Sequence, residues 1–293
     1  MAVRPRRSVL YMPGSSARAL EKAKSLPADA LILDLEDAVA PEQKDAARAL
    51  VAEAVAGGGY GRREIIIRIN GLNTEWAAAD IDAAARVAPD AVLVPKISTP
   101  GDIMKAAREL REAGVPETTR LWAMMETPLA ILNADGIART AADPASRLSV
   151  LVMGVNDLAR ETRARVTKGR AGMVPWLATC VAAARAHGVE IVDGVYGEIG
   201  DIAGLRAECE QGRDMGMDGK TLIHPGQIEV CNEAFGPGAD EIEWARKVIA
   251  AFESPENRGK GALSLDGKMI ERLHADIARR TLAIAEALAD TAG

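Results

Sequence analysis

Ala30-Leu31-Ile32-Leu33-Asp34-Leu35-Glu36-Asp37 is the stretch that decides the fold. A short aliphatic run, residues 30–35, breaks off in carboxylates. The Ala-rich stretch 43–56 that follows carries apolar residues at three- and four-residue spacing, as an amphipathic helix does. The same unit recurs on both sides of it. Runs at 8–12, 64–69, 91–95, 121–126, 148–154, 190–193 and 220–223 repeat it, most of them ending in or leading into a polar or charged residue. Helical patterns at 17–25, 76–87, 101–113, 128–134, 174–187 and 202–215 lie between them. Strands alternating with helices predict a parallel sheet. Eight such strands in about 225 residues predict an α/β fold of the (β/α)8 TIM barrel type. The alternative is an open doubly wound sheet, but no Gly-rich fingerprint follows the first strand.

Beyond Pro225 the texture changes. Residues 240–252 read as a helix, 254–267 as a Gly-, Pro- and charge-rich loop or hinge, and 268–288 as a second helix. The chain is therefore expected to divide into a barrel, residues 1–235, and a C-terminal helical extension, residues 236–293, serving as a lid or an oligomer arm.

Composition narrows the function classes. Of 293 residues 48% are hydrophobic and 27% charged, which is ordinary for a globular protein. A net charge of −6 with only 3% aromatic residues excludes the basic stripe or stacking platform of a nucleic-acid binder. Three widely spaced cysteines give no disulfide framework, and with three histidines and no CxxC a structural zinc site is not expected. No apolar run approaches the roughly 20 residues of a membrane helix. The apolar stretch after Arg4, Arg6 and Arg7 is too short for a signal peptide, so a cytoplasmic location is expected. Gly219-Lys220-Thr221 ends like a phosphate-binding loop, but Asp214 stands where that motif needs Gly.

In a barrel of this type chemistry sits at the C-terminal strand ends. Read in order, those ends deliver Asp34-Leu35-Glu36-Asp37, Arg68 with Asn70, Lys96, Glu126, Asn156-Asp157, Asp193 and His224. Wet strand ends explain one or two charges, not a charge from nearly every strand. Carboxylates without thiols or clustered histidines suit a hard ion such as Mg²⁺, with Mn²⁺ as a substitute. Arg68 is expected to grip a substrate carboxylate in a bidentate fork. Metal and guanidinium together would hold a 2-oxo acid. Duller roles stand beside these. Glu36 and Asp37 either orient Arg68 or act directly, Lys96 pairs with Asp37 or Glu126, Asp193 joins a structural network, and His224 steadies a loop.

Ser8-Val9-Leu10-Tyr11-Met12-Pro13-Gly14, Leu33-Asp34-Leu35-Glu36-Asp37-Ala38-Val39-Ala40-Pro41 and Ile67-Arg68-Ile69-Asn70-Gly71 carry a resemblance. So do Val94-Pro95-Lys96, Met125-Glu126-Thr127, Gly154-Val155-Asn156-Asp157-Leu158 and Ile223-His224-Pro225. Together, in order and nearly end to end, they resemble the citrate lyase β-subunit family of the HpcH/HpaI aldolase/citrate lyase superfamily. Malyl-CoA, citramalyl-CoA and citryl-CoA lyases belong to it.

The resemblance implies a Mg²⁺-dependent lyase, usually a homotrimer, that reversibly splits a 3-hydroxyacyl-CoA thioester into acyl-CoA and a 2-oxo acid. It implies Glu126 and Asp157 as metal ligands, with Glu126 also at the substrate, and Arg68 on the keto-acid carboxylate. Lys22 would meet CoA phosphates and Tyr11 would line the same pocket. Proton transfer falls to Glu271, Glu36 or Asp37. The chain departs from the family in having Glu271 where Asp is usual and Ser16 where many members carry Arg. Two alternatives keep the fold: a malyl-CoA thioesterase, and a non-catalytic subunit that binds CoA thioesters. A partner other than acyl-CoA, oxo acid and further copies of the chain is not expected, and neither nucleic acid nor membrane is.

Overall fold

The computed structural model describes residues 4–292. Eight parallel strands close into a barrel. They are β1 (Ser8–Pro13), β2 (Ala30–Asp34), β3 (Glu64–Arg68), β4 (Ala91–Ile97), β5 (Arg120–Met125), β6 (Leu148–Met153), β7 (Glu190–Asp193) and β8 (Gly219–Leu222). Closure is made by β1, which pairs with β2 on one side and β8 on the other. Every residue of β2 and β3 is buried, as strands covered on both faces must be. Their inward side chains, with Val9, Leu93, Trp122, Val150 and Val192, fill the barrel interior.

The strands alternate with helices α1 (Ala17–Ala23), α2 (Lys44–Gly57), α3 (Ala77–Val87), α4 (Pro100–Glu112), α5 (Pro128–Leu132), α6 (Ala134–Arg139), α7 (Val155–Thr162), α8 (Val174–Ala186) and α9 (Ile202–Asp214), and α10 (Ile228–Phe235) follows β8. Helix starts follow local chemistry. Thr99 and Asp102 form a reciprocal capping box on α4, with Pro100 in the first turn. The floor of the barrel is a charge plug. Arg6 donates from Nε and Nη2 to Glu64, at 2.6 and 2.8 Å, pairs also with Glu190, and lies 5.3 Å above the ring of Trp122. Glu64 and Glu190 are the first residues of β3 and β7, so one arginine ties two strand starts together.

Two compact units result, Arg6–Ala234 and a C-terminal one that begins at Phe235. The second unit contains α11 (Ala239–Glu253), a hairpin of β9 (Ala262–Leu265) and β10 (Lys268–Glu271), and α12 (Arg272–Ala292). It has its own apolar cluster around Val248, Ile270, Ala275 and Ala278. The hairpin corrects the sequence reading twice. The segment 254–267 is not all loop, and the last helix starts at Arg272 and not at 268. Asp266 and Gly267, at φ +48° and +77°, make the two-residue turn, a conformation in which Asp-Gly is favoured between strands. Among the described residues no helix is long and apolar enough to cross a membrane.

Candidate active site

At the C-terminal mouth of the barrel a cavity of about 330 Å³ is lined by Tyr11, Asp34, Arg68, Glu126, Asp157 and Ile223, among others. Among its buried charges is the guanidinium of Arg68. Asp34 and Arg68 are register partners across β2 and β3, so their side chains leave the sheet side by side. Arg68 donates from Nε to Asp34 Oδ1 at 2.7 Å and from Nη2 to Oδ2 at 2.6 Å. The same carboxylate accepts from the backbone of Glu36 at 2.9 Å and of Ala38 at 3.1 Å, which folds the turn after β2 back over the mouth. Lys44 holds that turn from behind, donating to the carbonyls of Leu35 and Glu36, each at 2.7 Å.

This arrangement changes one expectation. The bidentate edge of Arg68 belongs to Asp34. The remaining nitrogen, Nη1, lies 2.7 Å from Glu36 Oε2 and 3.5 Å from Asp37 Oδ2, and the guanidinium carbon lies 4.9 Å from the centre of the Tyr11 ring. Glu36 and Asp37 thus both face Arg68. Glu36 Oε2 is buried and, despite its closeness to Nη1, is not aligned to accept a hydrogen bond.

Burial pushes the Glu36 carboxyl up to about 7, against the pull of Arg68 and with help from the Asp37 and Glu126 charges. A carboxyl that titrates near 4.5 when unfolded and near 7 when folded gives the native state an extra proton between those values. Its contribution is complete below the lower value and is lost as pH rises through the upper one. Glu36→Gln mimics the protonated form. It should match the parent at pH 4.5 and exceed it at pH 8, by up to about 3 kcal/mol. Urea unfolding at the two pH values reads the difference, and a gap independent of pH would refute the shift.

The second half of the site is a pair of carboxylates. Glu126, the first residue after β5, is buried, and Gly154 leaves it room: a Cβ at 154 would fall 2.4 Å from the Glu126 Cβ. Asp157 lies in the first turn of α7, where the helix dipole favours an anion, and its Oδ1 forms an ion pair with Arg160 at 2.5 Å. The sequence reading contained no helix here, because α7 follows β6 after Gly154 alone and has only eight residues. Lys96 links the two acids. Its backbone N donates to Glu126 Oε1 at 2.7 Å, and its Nζ lies 2.9 Å from Asp157 Oδ1 and 3.4 Å from Glu126 Oε1. Burial raises the Glu126 carboxyl, and Lys96 opposes the rise.

These residues fit a hard divalent ion. Two carboxylates already share one cationic centre, an ammonium. Among the described residues no set of three or more His, Cys, Asp or Glu side chains converges. A carboxylate pair is what Mg²⁺ takes when water and substrate complete its shell.

The other candidates lie elsewhere. Lys22 is exposed on α1 and does not line the cavity. Glu271 is the exposed last residue of β10, in the C-terminal unit. Asp193 sits in a buried structural network, accepting from Arg170 at 2.8 and 2.9 Å and from Lys220 at 2.9 Å, while Lys220 also donates to Glu208 at 2.6 Å. His224 accepts from the Gly226 backbone and steadies its turn. The sequence reading missed Asp34 as the fork partner of Arg68. The available signal was that both residues end neighbouring strands.

Fold and mouth together define a (β/α)8 barrel with a cavity at the C-terminal strand ends lined by carboxylates and one guanidinium. Residues 7–225 match the family HpcH/HpaI aldolase/citrate lyase, and the chain belongs to that family. It is 53% identical over 285 residues to a (3S)-malyl-CoA thioesterase of Cereibacter sphaeroides, covering 97% of this chain and 96% of the relative. It is 35% identical over 288 residues to the citrate lyase subunit beta of Escherichia coli K12, covering 97% and 94%. The crystal structure of the protein CitE from Mycobacterium tuberculosis in complex with magnesium, acetoacetate and coenzyme A superimposes with a TM-score of 0.76 at 29% identity, covering 97% of this chain and all of that one. The expected fold and family are both borne out.

Proposed function

We propose that the protein hydrolyses the CoA thioester of a 3-hydroxy-3-carboxy acid of the malyl-CoA type, assisted by Mg²⁺. The observation that carries the choice of reaction is the 53% identity to the thioesterase, set against 35% to the citrate lyase subunit. Glu126 and Asp157 would hold the ion. When bound, it supplies Lewis-acid polarisation at the hydroxy-acid end and offsets the negative charge of the mouth.

The protein's own groups do the rest. Arg68 Nη1 holds the free carboxylate, and Asp34, by occupying the other edge of the guanidinium, keeps it from rotating. The Tyr11 ring over Arg68 keeps that face dry. Glu36, poised near neutrality, or Asp37, which lines the cavity, takes a proton from the attacking water. Water adds to the thioester carbonyl carbon, the C–S bond breaks, and the thiolate leaves and is protonated. Lys22, exposed on α1, would meet CoA phosphates, whereas Glu271 is a candidate for proton transfer through the family resemblance alone.

The second reading is the reversible C–C lyase. It is favoured by the carboxylate pair beside Arg68, a set suited to a 2-oxo acid product. Incubation with (3S)-malyl-CoA and Mg²⁺ separates the two. Free CoA thiol and malate in equal amounts, without glyoxylate, are the expected result. Glyoxylate with acetyl-CoA would transfer the assignment to the lyase, and no turnover at all would overturn both.

A further inference from the structure

We infer that Lys96 is a resident competitor for the divalent ion: its ammonium holds the place between Glu126 and Asp157 and has to leave when the ion binds. This rests on the metal reading above and adds to it a role for a residue that the reaction scheme does not use.

Three features of β4 point the same way. The strand's register with β5 shifts between Val94 and Ile97, and such irregularities re-aim a side chain. Lys96, at the centre of the shift, has φ +57°, a left-handed conformation that costs a residue with a Cβ free energy and persists where the surroundings enforce it. The enforcing contact is the 2.7 Å bond from its own backbone N to Glu126 Oε1. The strained residue is thus fastened to one prospective ligand by its backbone, and its side chain turns back to lie 2.9 Å from the other.

A merely structural lysine would be expected to be enclosed. Lys220, in the same barrel, has no exposure and two fixed carboxylate partners. The Lys96 side chain is 35% exposed, so solvent gives it somewhere to go. Coexistence with the ion is unfavourable. Mg²⁺ would bind these oxygens at about 2.1 Å. An ammonium 2.9 Å from the same Asp157 oxygen would then be a like charge at close range, in a partly desolvated site. Until the ion arrives, the ammonium bridges two acids that would otherwise repel each other, one of them buried, while the exposed Arg160 pairs with Asp157 alone. The site is therefore assembled before it is loaded, and loading is an exchange of one cation for another.

The test is Mn²⁺ titration calorimetry of the whole protein and its Lys96→Met variant. Mass-spectrometric mapping of lysine acylation in the unmodified protein, with and without Mn²⁺, accompanies it. The variant is expected to bind Mn²⁺ about tenfold more tightly, since a like charge beside the ion is gone. Acylation of Lys96 should rise when the ion is added, while Lys105, exposed on α4, stays constant. Equal or weaker binding by a folded variant, or Lys96 labelling indifferent to an ion that does bind, overturns the competitor role and leaves the metal reading intact. If the variant does not fold, the labelling of the unmodified protein decides alone. Absence of binding in both proteins overturns the metal reading, and this inference with it.

Discussion

Glu126→Gln is expected to lower metal-dependent turnover by about three orders of magnitude, the several kcal/mol that a Lewis acid contributes to a developing charge. The substitution keeps the shape of the side chain and an oxygen for the Lys96 backbone N, so the bond that supports Lys96 has a replacement acceptor. What disappears is one of two anionic donors. Burial already raises this carboxyl, and its charged form is sustained by the Lys96 ammonium and by the hydrogen bond from the Lys96 backbone. Asp157→Asn should act in the same direction. The double change should cost little more than either single one, because groups that hold one ion act as a unit. Steady-state kinetics at saturating Mg²⁺, together with Mn²⁺ calorimetry, check this. Activity retained in metal-free buffer with both residues changed to Ala would refute the assignment.

The largest effect on stability is expected at Lys220. It is fully buried in β8, donating to Asp193 at 2.9 Å and to Glu208 at 2.6 Å. Asp193 keeps a second partner in Arg170, so its carboxyl stays well paired and is held below the usual carboxylate range. Glu208 has less: with Lys220 gone, its remaining cation is Arg170 Nη1 at 3.4 Å. Lys220→Met therefore leaves a carboxylate in the interior without adequate compensation, at a cost of about 3–5 kcal/mol. That is a large part of the roughly 5–15 kcal/mol by which a domain is stable. Adding Glu208→Gln should recover part of it, because the second change removes the stranded charge. Urea unfolding of the single and double variants measures both effects. A loss below about 1 kcal/mol for the single variant would mean that the cluster is far better hydrated than its burial implies.

The barrel was legible because nearly every strand is a short apolar run leading into a polar or charged residue, a pattern that needs no knowledge of partners. Features that arise from pairing were not. Arg68 was visible as a cation at a strand end, but its engagement by Asp34 depends on the register of β2 against β3. Lys220 read as part of a strand, whereas its partners come from β7 and from α9, and the fourth charge, Arg170, from the loop before α8. Asp157 was picked out without the helix that orients it. The hairpin of the C-terminal unit did carry its signal, Asp266-Gly267 between Leu263-Ser264-Leu265 and Lys268-Met269-Ile270. The surrounding glycine and charge masked that signal, and Glu271 was consequently expected in a helix when it ends a strand.

The arginine at the base of the barrel has a consequence for traffic. Arg6, clamped to Glu64 and Glu190 and stacked on Trp122, lies beneath a packed interior, so among the described residues the barrel offers a ligand no passage through its base. Whatever arrives must depart by the same route, and the fragment seated nearer the lip goes first. On the proposed thioester hydrolysis, a bulky thiol carrier leaning out of the opening would shut in the small hydroxy acid beneath it until the carrier itself had left.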